Sequence, residues 1–138
     1  MDVVATVKEM QTRADEFRAQ GNTIALTPTM GYLHEGHLSL IQKGKDHADR
    51  VVLSIFVNPT QFGPDEDLDA YPRAMERDLA MAEGSGVDVV FAPSDTELYG
   101  PDFQTFVSLE RLPNHLCGLS RPVHFRGVAT VVAKLFNI

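Results

Sequence analysis

Two apolar runs flank a helical pattern in TIALTPTMGYLHEGHLSLIQKGKDHADRVVLSIFV, residues 23–57. The runs, residues 23–28 and 50–57, each end at or just before a proline, which is typical of buried strands. Between them, residues 37–48 space their apolar side chains for one face of a helix. Two strands joined by a helix pair in parallel through a right-handed crossover. The segment therefore predicts an α/β domain.

The rest of the chain continues this alternation of helices and strands. The further predicted elements are a helix at 3–20, a helix at 72–84 with Pro72 in its first turn, a strand at 87–92, an exposed strand at 103–109 and a helix at 123–137. Strands that are apolar at nearly every residue indicate a sheet covered on both faces. We predict one Rossmann-like α/β domain over residues 1–138, with a parallel sheet and helices on both faces.

The composition limits the classes of partner. The 138 residues suit one domain, and 12 Lys+Arg against 19 Asp+Glu give a formal charge of −7. This charge argues against a general nucleic-acid or acidic-membrane binder. The single cysteine, Cys117, excludes an internal disulfide, and we expect it to be partly buried. Because no signal-peptide pattern or membrane-spanning apolar stretch is present, we expect a soluble cytoplasmic protein.

The last residues, VATVVAKLFNI at 128–138, have the pattern of a buried helix. Neither a capping glycine nor a polar tail follows that pattern. It favours a chain whose next element lies beyond Ile138 over a final helix that frays.

A histidine pair lies in the loop that joins the first two predicted elements of the opening segment. His34 and His37 are three residues apart at a predicted helix N-terminus, with Gly31 and Gly36 beside them. Helix N-termini bind phosphate, glycines let a ligand approach the backbone, and the loop follows the carboxyl end of a strand. The pattern favours phosphate binding. Zinc binding by the histidines and two solvated loop histidines are the alternatives, although zincins space their histidines four apart.

Two neutral amides, Asn58 and Gln61, follow the second strand of the same segment. A carboxamide both donates and accepts hydrogen bonds, which suits a hydroxy-acid substrate. Turn chemistry is the alternative, above all for Asn58, because Asn-Pro marks turns. Asp78, within a predicted helix, could hold Mg²⁺ through one carboxylate with water and phosphate, or could be an exposed helix acid.

Two charged clusters remain open to several interpretations. The acidic cluster of Asp65, Glu66, Asp67 and Asp69 is typical of a solvated loop. The basic cluster contains Arg121, His124 and Arg126. It could bind a carboxylate or phosphate, or it could cap the last helix or form a subunit contact.

Three motifs together resemble the pantoate–β-alanine ligase (pantothenate synthetase) family, over essentially the whole chain. They are PTMGYLHEGH at 28–37, SIFVNPTQFGPDEDLDAYPR at 54–73 and SRPVHFRGV at 120–128. The His-x-x-His element alone is shared with the wider HIGH-type nucleotidylyltransferase superfamily. The resemblance implies that ATP and pantoate form pantoyl adenylate and pyrophosphate with Mg²⁺, and that β-alanine then attacks to give pantothenate and AMP. It also implies a homodimer.

The resemblance also implies roles for individual residues. His34 and His37 would be catalytic and stabilise the phosphate, with His37 as the acid. The ATP site would be lined by Met30, Gly31, Tyr32, Leu33, His34, Glu35, Gly36 and His37. The pantoate and β-alanine pocket would be lined by Pro28, Thr29, Asn58, Gln61, Tyr71, Val131 and Val132, and Asp78 is a weaker candidate for Mg²⁺.

Members of the family continue past the position of Asn137 into a further strand, lysine and arginine contacts to ATP, and a C-terminal domain. We therefore expect this chain to be the N-terminal nucleotide- and pantoate-binding domain, with weak or absent synthesis by itself. Two other functions stay open. One is another nucleotidylyltransferase that uses the His-x-x-His loop and ignores pantoate; the other is a non-catalytic module that binds a small acid.

Overall fold

A computed structural model of the chain describes residues 1–64, 66, 68, 70–115 and 117–138. Within this part of the chain, four strands form one sheet in the order β1-β4-β3-β2. All three pairings are parallel. The strands are β1 (Asp2–Val4), β2 (Ile24–Thr29), β3 (Arg50–Ile55) and β4 (Val89–Phe91). The predicted parallel α/β architecture is confirmed.

Helices cover both faces of the sheet, as predicted. They are α1 (Val7–Ala19), α2 (Glu35–His47), α3 (Met75–Gly84), α4 (Asp95–Leu98), α5 (Cys117–Ser120) and α6 (His124–Phe136), with short 3-10 turns at Pro59–Gln61 and Leu112–Asn114. One core cluster joins β3 and β4 to α1 and α6, for example through Met10 and Val131. The other joins the same strands to α2 and α3, for example through Ile41 and Ala82.

The central strand β3 is buried along almost its whole length, and this fixes where the following loops lie. Val51 and Leu53 contribute to one core cluster and Val52 to the other, because successive side chains in a strand point to opposite faces. In the register of the β2–β3 pair, Thr29 lies opposite Ile55. The loops that follow these two strands therefore leave the sheet side by side at its carboxyl edge.

The predicted helix at 3–20 begins later than its apolar spacing indicates. The first helix starts at Val7, and Asp2–Val4 form the edge strand β1 instead. Thr6 accepts a hydrogen bond from the Glu9 amide while the Glu9 carboxylate accepts one from the Thr6 amide. This reciprocal capping box fixes the helix start. The prediction of a helix from residue 3 was wrong because Val3 belongs to the strand pattern.

Two predictions in the second half of the chain are also corrected. Helix α3 begins at Met75, so Pro72 lies before it rather than in its first turn. Residues 103–109 form no strand; the amide of Val107 donates to the hydroxyl of Thr130 on α6 instead of to a neighbouring strand. Phe103 packs edge-on against Tyr99 with ring centroids 4.8 Å apart. The aromatic side chains of this segment therefore pack on Tyr99 and Arg126 rather than in the sheet.

Cys117 is exposed, not partly buried as expected, because it begins the short helix α5 on the surface. Among the described residues, no helix is long and apolar enough to cross a membrane.

Candidate active site

The loop between β2 and α2 has two residues in the left-handed region, and a side chain that is distant in the sequence binds its backbone. Gly31 has φ 81° and Tyr32 has φ 52°, both in the left-handed region. A Cβ on Gly31 would lie only 3.0 Å from Oδ2 of Asp78, and the positive φ would strain it, so glycine is favoured there. The Asp78 carboxylate, on α3, accepts hydrogen bonds from the amides of Tyr32 and Leu33, each at 2.7 Å. Asp78 is therefore a buried clamp on this loop rather than the exposed helix acid considered above.

The two histidines close the N-terminus of α2. Nδ1 of His34 accepts from the Gly36 amide at 3.1 Å, and Nδ1 of His37 accepts from the His34 amide at 3.3 Å. Backbone amides only donate, so neither Nδ1 carries a proton in this arrangement. A neutral ring then carries its proton on Nε2. With ring centroids 4.1 Å apart, the pair presents two neighbouring Nε2–H donors at a helix N-terminus, which is suitable for an anion.

The environment of His37 favours its neutral form. Burial lowers the pKa of the imidazole, and the electrostatic interaction with His34 lowers it further, while the carboxylate of Asp78 opposes both effects. A neutral His37 keeps its Nδ1 bond to the loop and still donates through Nε2. The geometry thus favours hydrogen-bond donation without a formal charge on the ring.

A cavity of about 320 Å³ opens beside His37 at the carboxyl ends of β2 and β3. All seven residues predicted to bind pantoate or β-alanine line it, together with Met30 and His37 of the predicted ATP loop. Its lining is Pro28, Thr29, Met30, His37, Phe56, Asn58, Gln61, Tyr71, Val128, Val131, Val132 and Leu135. The lining combines polar side chains, among them Asn58 and Gln61, with apolar side chains of α6. The cavity therefore suits a small ligand that has both polar and apolar groups.

Three other residues of the predicted ATP loop differ in how far their side chains are buried. Leu33 is fully buried in the core cluster below α2, so only its backbone can face a ligand. The side chain of Tyr32 is half exposed, with the Arg77 guanidinium 5.4 Å from its ring centroid. Glu35 is exposed in the first turn of α2. The structure brings Met30 and His37 to the cavity and leaves these three side chains outside it.

Asn58 and Gln61 are both buried, and they bond to each other. Nδ2 of Asn58 donates to Oε1 of Gln61 and to the carbonyl of Gly127, each at 3.1 Å. Nε2 of Gln61 lies 3.2 Å from the Met30 sulfur, a weak acceptor. Asn58 also caps the following 3-10 turn through the Thr60 amide. Asn58 therefore makes the turn and also lines the cavity.

The basic cluster does not line this cavity; Arg121 and His124 contact the loop that follows β3 instead. Nε of Arg121 donates to Glu66 at 2.6 Å, and its guanidinium also reaches the carbonyl of Gln61. Nδ1 of His124 lies 3.3 Å from the same carbonyl. The Arg126 guanidinium stacks 3.8 Å from the centroid of the Phe106 ring. Arg121 and His124 therefore contact the loop at Gln61 and Glu66, whereas Arg126 packs on Phe106.

Glu66 is the described member of the predicted acidic loop; Asp65, Asp67 and Asp69 lie outside the described residues. The hydrogen bond from Arg121 lowers the pKa of the Glu66 carboxyl, as does the bond from the Gly63 amide. Glu66 is therefore bonded into the loop and does not match the prediction of a merely solvated acid.

Helix α6 approaches the loop closely at Gly127. A Cβ there would lie 2.4 Å from the carbonyl oxygen of Thr60 and 2.5 Å from Cα of Gln61. Only a glycine allows this contact. The close approach brings Val131 and Val132, one turn further along α6, to the cavity wall.

A second cavity, of about 400 Å³, lies on the other side of Met30 and Gly31. Arg73, Asp78 and Asp95 contribute its charged side chains. Among the described residues, no group of three or more His, Cys, Asp or Glu side chains is placed to hold a metal ion. Both oxygens of Asp78 already accept backbone amides. These residues therefore do not form a protein cage for Mg²⁺.

Sequence reasoning missed several contributors to the site. Phe56, Val128 and Leu135 line the first cavity. Gly127 inside an apolar helix pattern was the one available signal, because an interior glycine costs helix stability and often marks a close approach. Tyr99 also contacts Asn58, and no local pattern indicates this, because the two residues are distant in sequence.

Comparison with known proteins gives a consistent result. The sequence matches the pantoate-beta-alanine ligase family over residues 2–138. It is 63% identical to the pantothenate synthetase of Desulfatibacillum aliphaticivorans and 57% identical to that of Geobacter sulfurreducens. Both matches cover the whole of this chain and 49% of the relative. The chain thus spans about half the length of the curated relatives it matches.

Solved structures agree with this result. The pantothenate synthetase of Thermus thermophilus superposes with a TM-score of 0.86 at 47% identity, covering 99% of this chain and 48% of that one. A Francisella tularensis pantoate-beta-alanine ligase, complexed with beta-gamma ATP and beta-alanine, superposes with a TM-score of 0.92 at 38% identity. That match covers 99% of this chain and 52% of the other. Sequence and fold together show that the chain belongs to the pantoate–β-alanine ligase family.

Proposed function

We propose that this chain takes part in the ATP-dependent condensation of pantoate with β-alanine, through a pantoyl-adenylate intermediate. The observation that carries the proposal is the cavity at the carboxyl ends of β2 and β3. It combines the amide of Gln61 and the imidazole of His37 with an apolar wall from α6. Pantoate has the matching two-sided chemistry, with a carboxylate and hydroxyls on one side and a dimethyl carbon on the other.

In this proposal, pantoate binds with its polar end at Gln61 and its methyl groups against Val131 and Val132. Within the described part of the chain, Nε2 of Gln61 faces the weakly accepting Met30 sulfur, so a carboxylate or hydroxyl oxygen would give it a stronger acceptor. Burial of the methyl groups against α6 contributes about 0.8 kcal/mol of hydrophobic binding energy for each buried hydrocarbon unit the size of a CH₂ group. The cavity therefore selects for a branched hydroxy acid.

The first chemical step joins pantoate to the nucleotide. A carboxylate oxygen of pantoate attacks the α-phosphorus of ATP, and the bond from that phosphorus to pyrophosphate breaks. The Nε2–H donors of His34 and His37 would stabilise the negative charge that builds on the phosphate oxygens. The Francisella tularensis structure, complexed with beta-gamma ATP and beta-alanine, supports ATP and β-alanine as substrates.

The second step forms the product. The β-alanine amine attacks the acyl carbon of pantoyl adenylate, a C–N bond forms, the amine loses a proton and AMP leaves with the electrons of the broken C–O bond. We also propose from the family resemblance that Mg²⁺ accompanies ATP, bound chiefly by phosphate oxygens and water, and that the protein works as a cytoplasmic homodimer.

Calorimetric titration of the purified chain with pantoate tests the pocket directly. We expect saturable binding by the wild type, loss of that binding in Gln61→Ala, and its retention in the control Gln42→Ala. Gln42 is an exposed glutamine on α2 that bonds to Asp46. Absence of wild-type binding, or equal loss in both variants, would contradict the proposed pocket. Binding of CTP or ATP without any effect of pantoate would favour another nucleotidylyltransferase instead.

A further inference from the structure

Two backbone groups show which end of the Asn58 amide is the oxygen and which is the nitrogen. The carbonyl of Gly127 can only accept a hydrogen bond, so it must face Nδ2. The amide of Thr60 can only donate, so it must face Oδ1, at 3.3 Å. Asn58 is also almost completely buried, with 1% of its surface exposed. Its second Nδ2 proton therefore requires an acceptor inside the protein.

That acceptor is Oε1 of Gln61, at 3.1 Å. The orientation of the Gln61 amide follows from this bond, since its oxygen is used and its Nε2 group is directed to Met30 at the cavity. At Gln61 the cavity therefore presents the N–H groups of the side-chain amide as hydrogen-bond donors. A ligand group that accepts hydrogen bonds is favoured here, and one that only donates is disfavoured.

Tyr99 does not line the cavity, but it contacts Asn58 directly. Its hydroxyl donates to Oδ1 of Asn58 at 2.8 Å, the shortest bond that Asn58 makes. It also lies 3.2 Å from the hydroxyl of Thr60. The Tyr99 ring packs edge-on against Phe103, with Lys134 5.3 Å from its centroid. Burial raises the pKa of the Tyr99 hydroxyl, so the group stays protonated and able to donate.

We propose that Tyr99 is a positioning residue that holds Asn58 against Gln61, and thereby fixes the donor face that the cavity presents to a carboxylate or hydroxyl. The proposal deepens the pantoate pocket described above and rests on it for the identity of the ligand. Tyr99 touches no reacting atom. Its effect passes through one hydrogen bond to Asn58 and a second from Asn58 to Gln61.

The test compares Tyr99→Phe, which removes only the hydroxyl, with Thr130→Val. Thr130 is a matched control because its buried hydroxyl also makes two hydrogen bonds, to the carbonyl of Arg126 and from the amide of Val107. Both variants should lower thermal stability. Nuclear magnetic resonance of the side-chain amides in the ligand-free chain then separates positioning from general loosening. We expect the Gln61 amide signals to move and exchange faster with water in Tyr99→Phe only.

Calorimetry supplies the second measurement. We expect Tyr99→Phe to weaken pantoate binding about threefold to tenfold, the range of one neutral hydrogen bond, and Thr130→Val to leave it unchanged. Unmoved Gln61 signals in Tyr99→Phe, or pantoate binding by Tyr99→Phe that equals the wild type's, would overturn the positioning role even where pantoate binding stands. Absence of wild-type pantoate binding would refute the ligand assignment, and the Gln61 signals would still decide the role of Tyr99.

Discussion

The carboxylate of Asp78 accepts the backbone amide of Leu33 at 2.7 Å, although the two residues lie 45 positions apart in the sequence. Its other oxygen accepts the amide of Tyr32. Two consecutive loop amides are thus held by one buried acid on α3, directly after the left-handed residues Gly31 and Tyr32. A tyrosine in the left-handed region is strained. The Asp78 clamp offsets that strain and fixes the direction in which the loop enters α2.

Replacing Asp78 by Asn should break this clamp with little change in size. An amide oxygen can accept one of the two backbone bonds, but its NH₂ group would face the other amide donor. We expect the free energy of unfolding to fall by about 1–3 kcal/mol, as for a buried unsatisfied group, and ATP affinity to fall with it. Thermal denaturation and nucleotide titration measure the two effects. The exposed Glu76, on the same helical turn, is the control: Glu76→Gln should cost less than about 1 kcal/mol. Equal effects of the two variants would argue against the clamp.

Gly127→Ala should destabilise the protein although alanine favours helix. The added methyl would lie 2.4 Å from the Thr60 carbonyl oxygen and would force α6 away from the loop. Overpacking of this kind costs about 1–3 kcal/mol, more than the gain of about 1 kcal/mol in helix propensity. Urea denaturation measures the change. The control is Gly84→Ala at the end of α3, where no atom lies within 4 Å of the added Cβ; it should be neutral or stabilising. A stable Gly127→Ala variant with unchanged pantoate binding would contradict the proposed contact.

The parts of the fold that the sequence predicts well are those with a strong local pattern. Residues 50–57 are apolar throughout most of their length, and they form the central strand at Arg50–Ile55. The apolar pattern of 123–137 forms α6 at His124–Phe136. In both cases burial follows the local periodicity, so propensity and tertiary structure agree.

The errors occur where distant contacts decide the structure. Val3 fits the apolar spacing of the first helix, but its pairing with Val90 in β4 makes it a strand residue. Residues 103–109 alternate like a strand, yet their packing on Tyr99 and Thr130 leaves them without a sheet partner. At the site, the predicted pocket residues meet at one cavity, whereas the roles of Asp78 and Tyr99 depend on contacts across the chain that no local pattern contains.

The lowered pKa of His37 predicts a specific dependence of stability on pH. An unfolded histidine titrates at about pH 6.5, so below that value the unfolded chain binds more protons at this position than the folded chain. The contribution of neutral His37 is therefore present above pH 6.5 and is lost as the pH falls toward the lower folded value. In His37→Gln this loss should be absent. Urea denaturation from about pH 7.5 to about pH 5, which brackets the unfolded pKa, measures the free energy of unfolding of both proteins. As the pH falls, this free energy should decrease more in the wild type than in the variant. Parallel curves would show that the pKa of His37 is not shifted.

The contact between Arg121 and Glu66 predicts a measurable change at the loop. The hydrogen bond from Arg121 is the largest cause of the lowered Glu66 pKa, so Arg121→Met should raise that pKa toward the ordinary glutamate value. Arg121→Lys keeps the positive charge but loses the planar fork, and it should raise the pKa by a smaller amount. A carbon-13 titration of the Glu66 carboxyl measures each value. The control, Arg18→Met, removes an exposed arginine that pairs with Asp15 on α1 and should leave Glu66 unchanged. An unchanged Glu66 pKa in Arg121→Met would mean that the basic cluster does not hold this loop in solution.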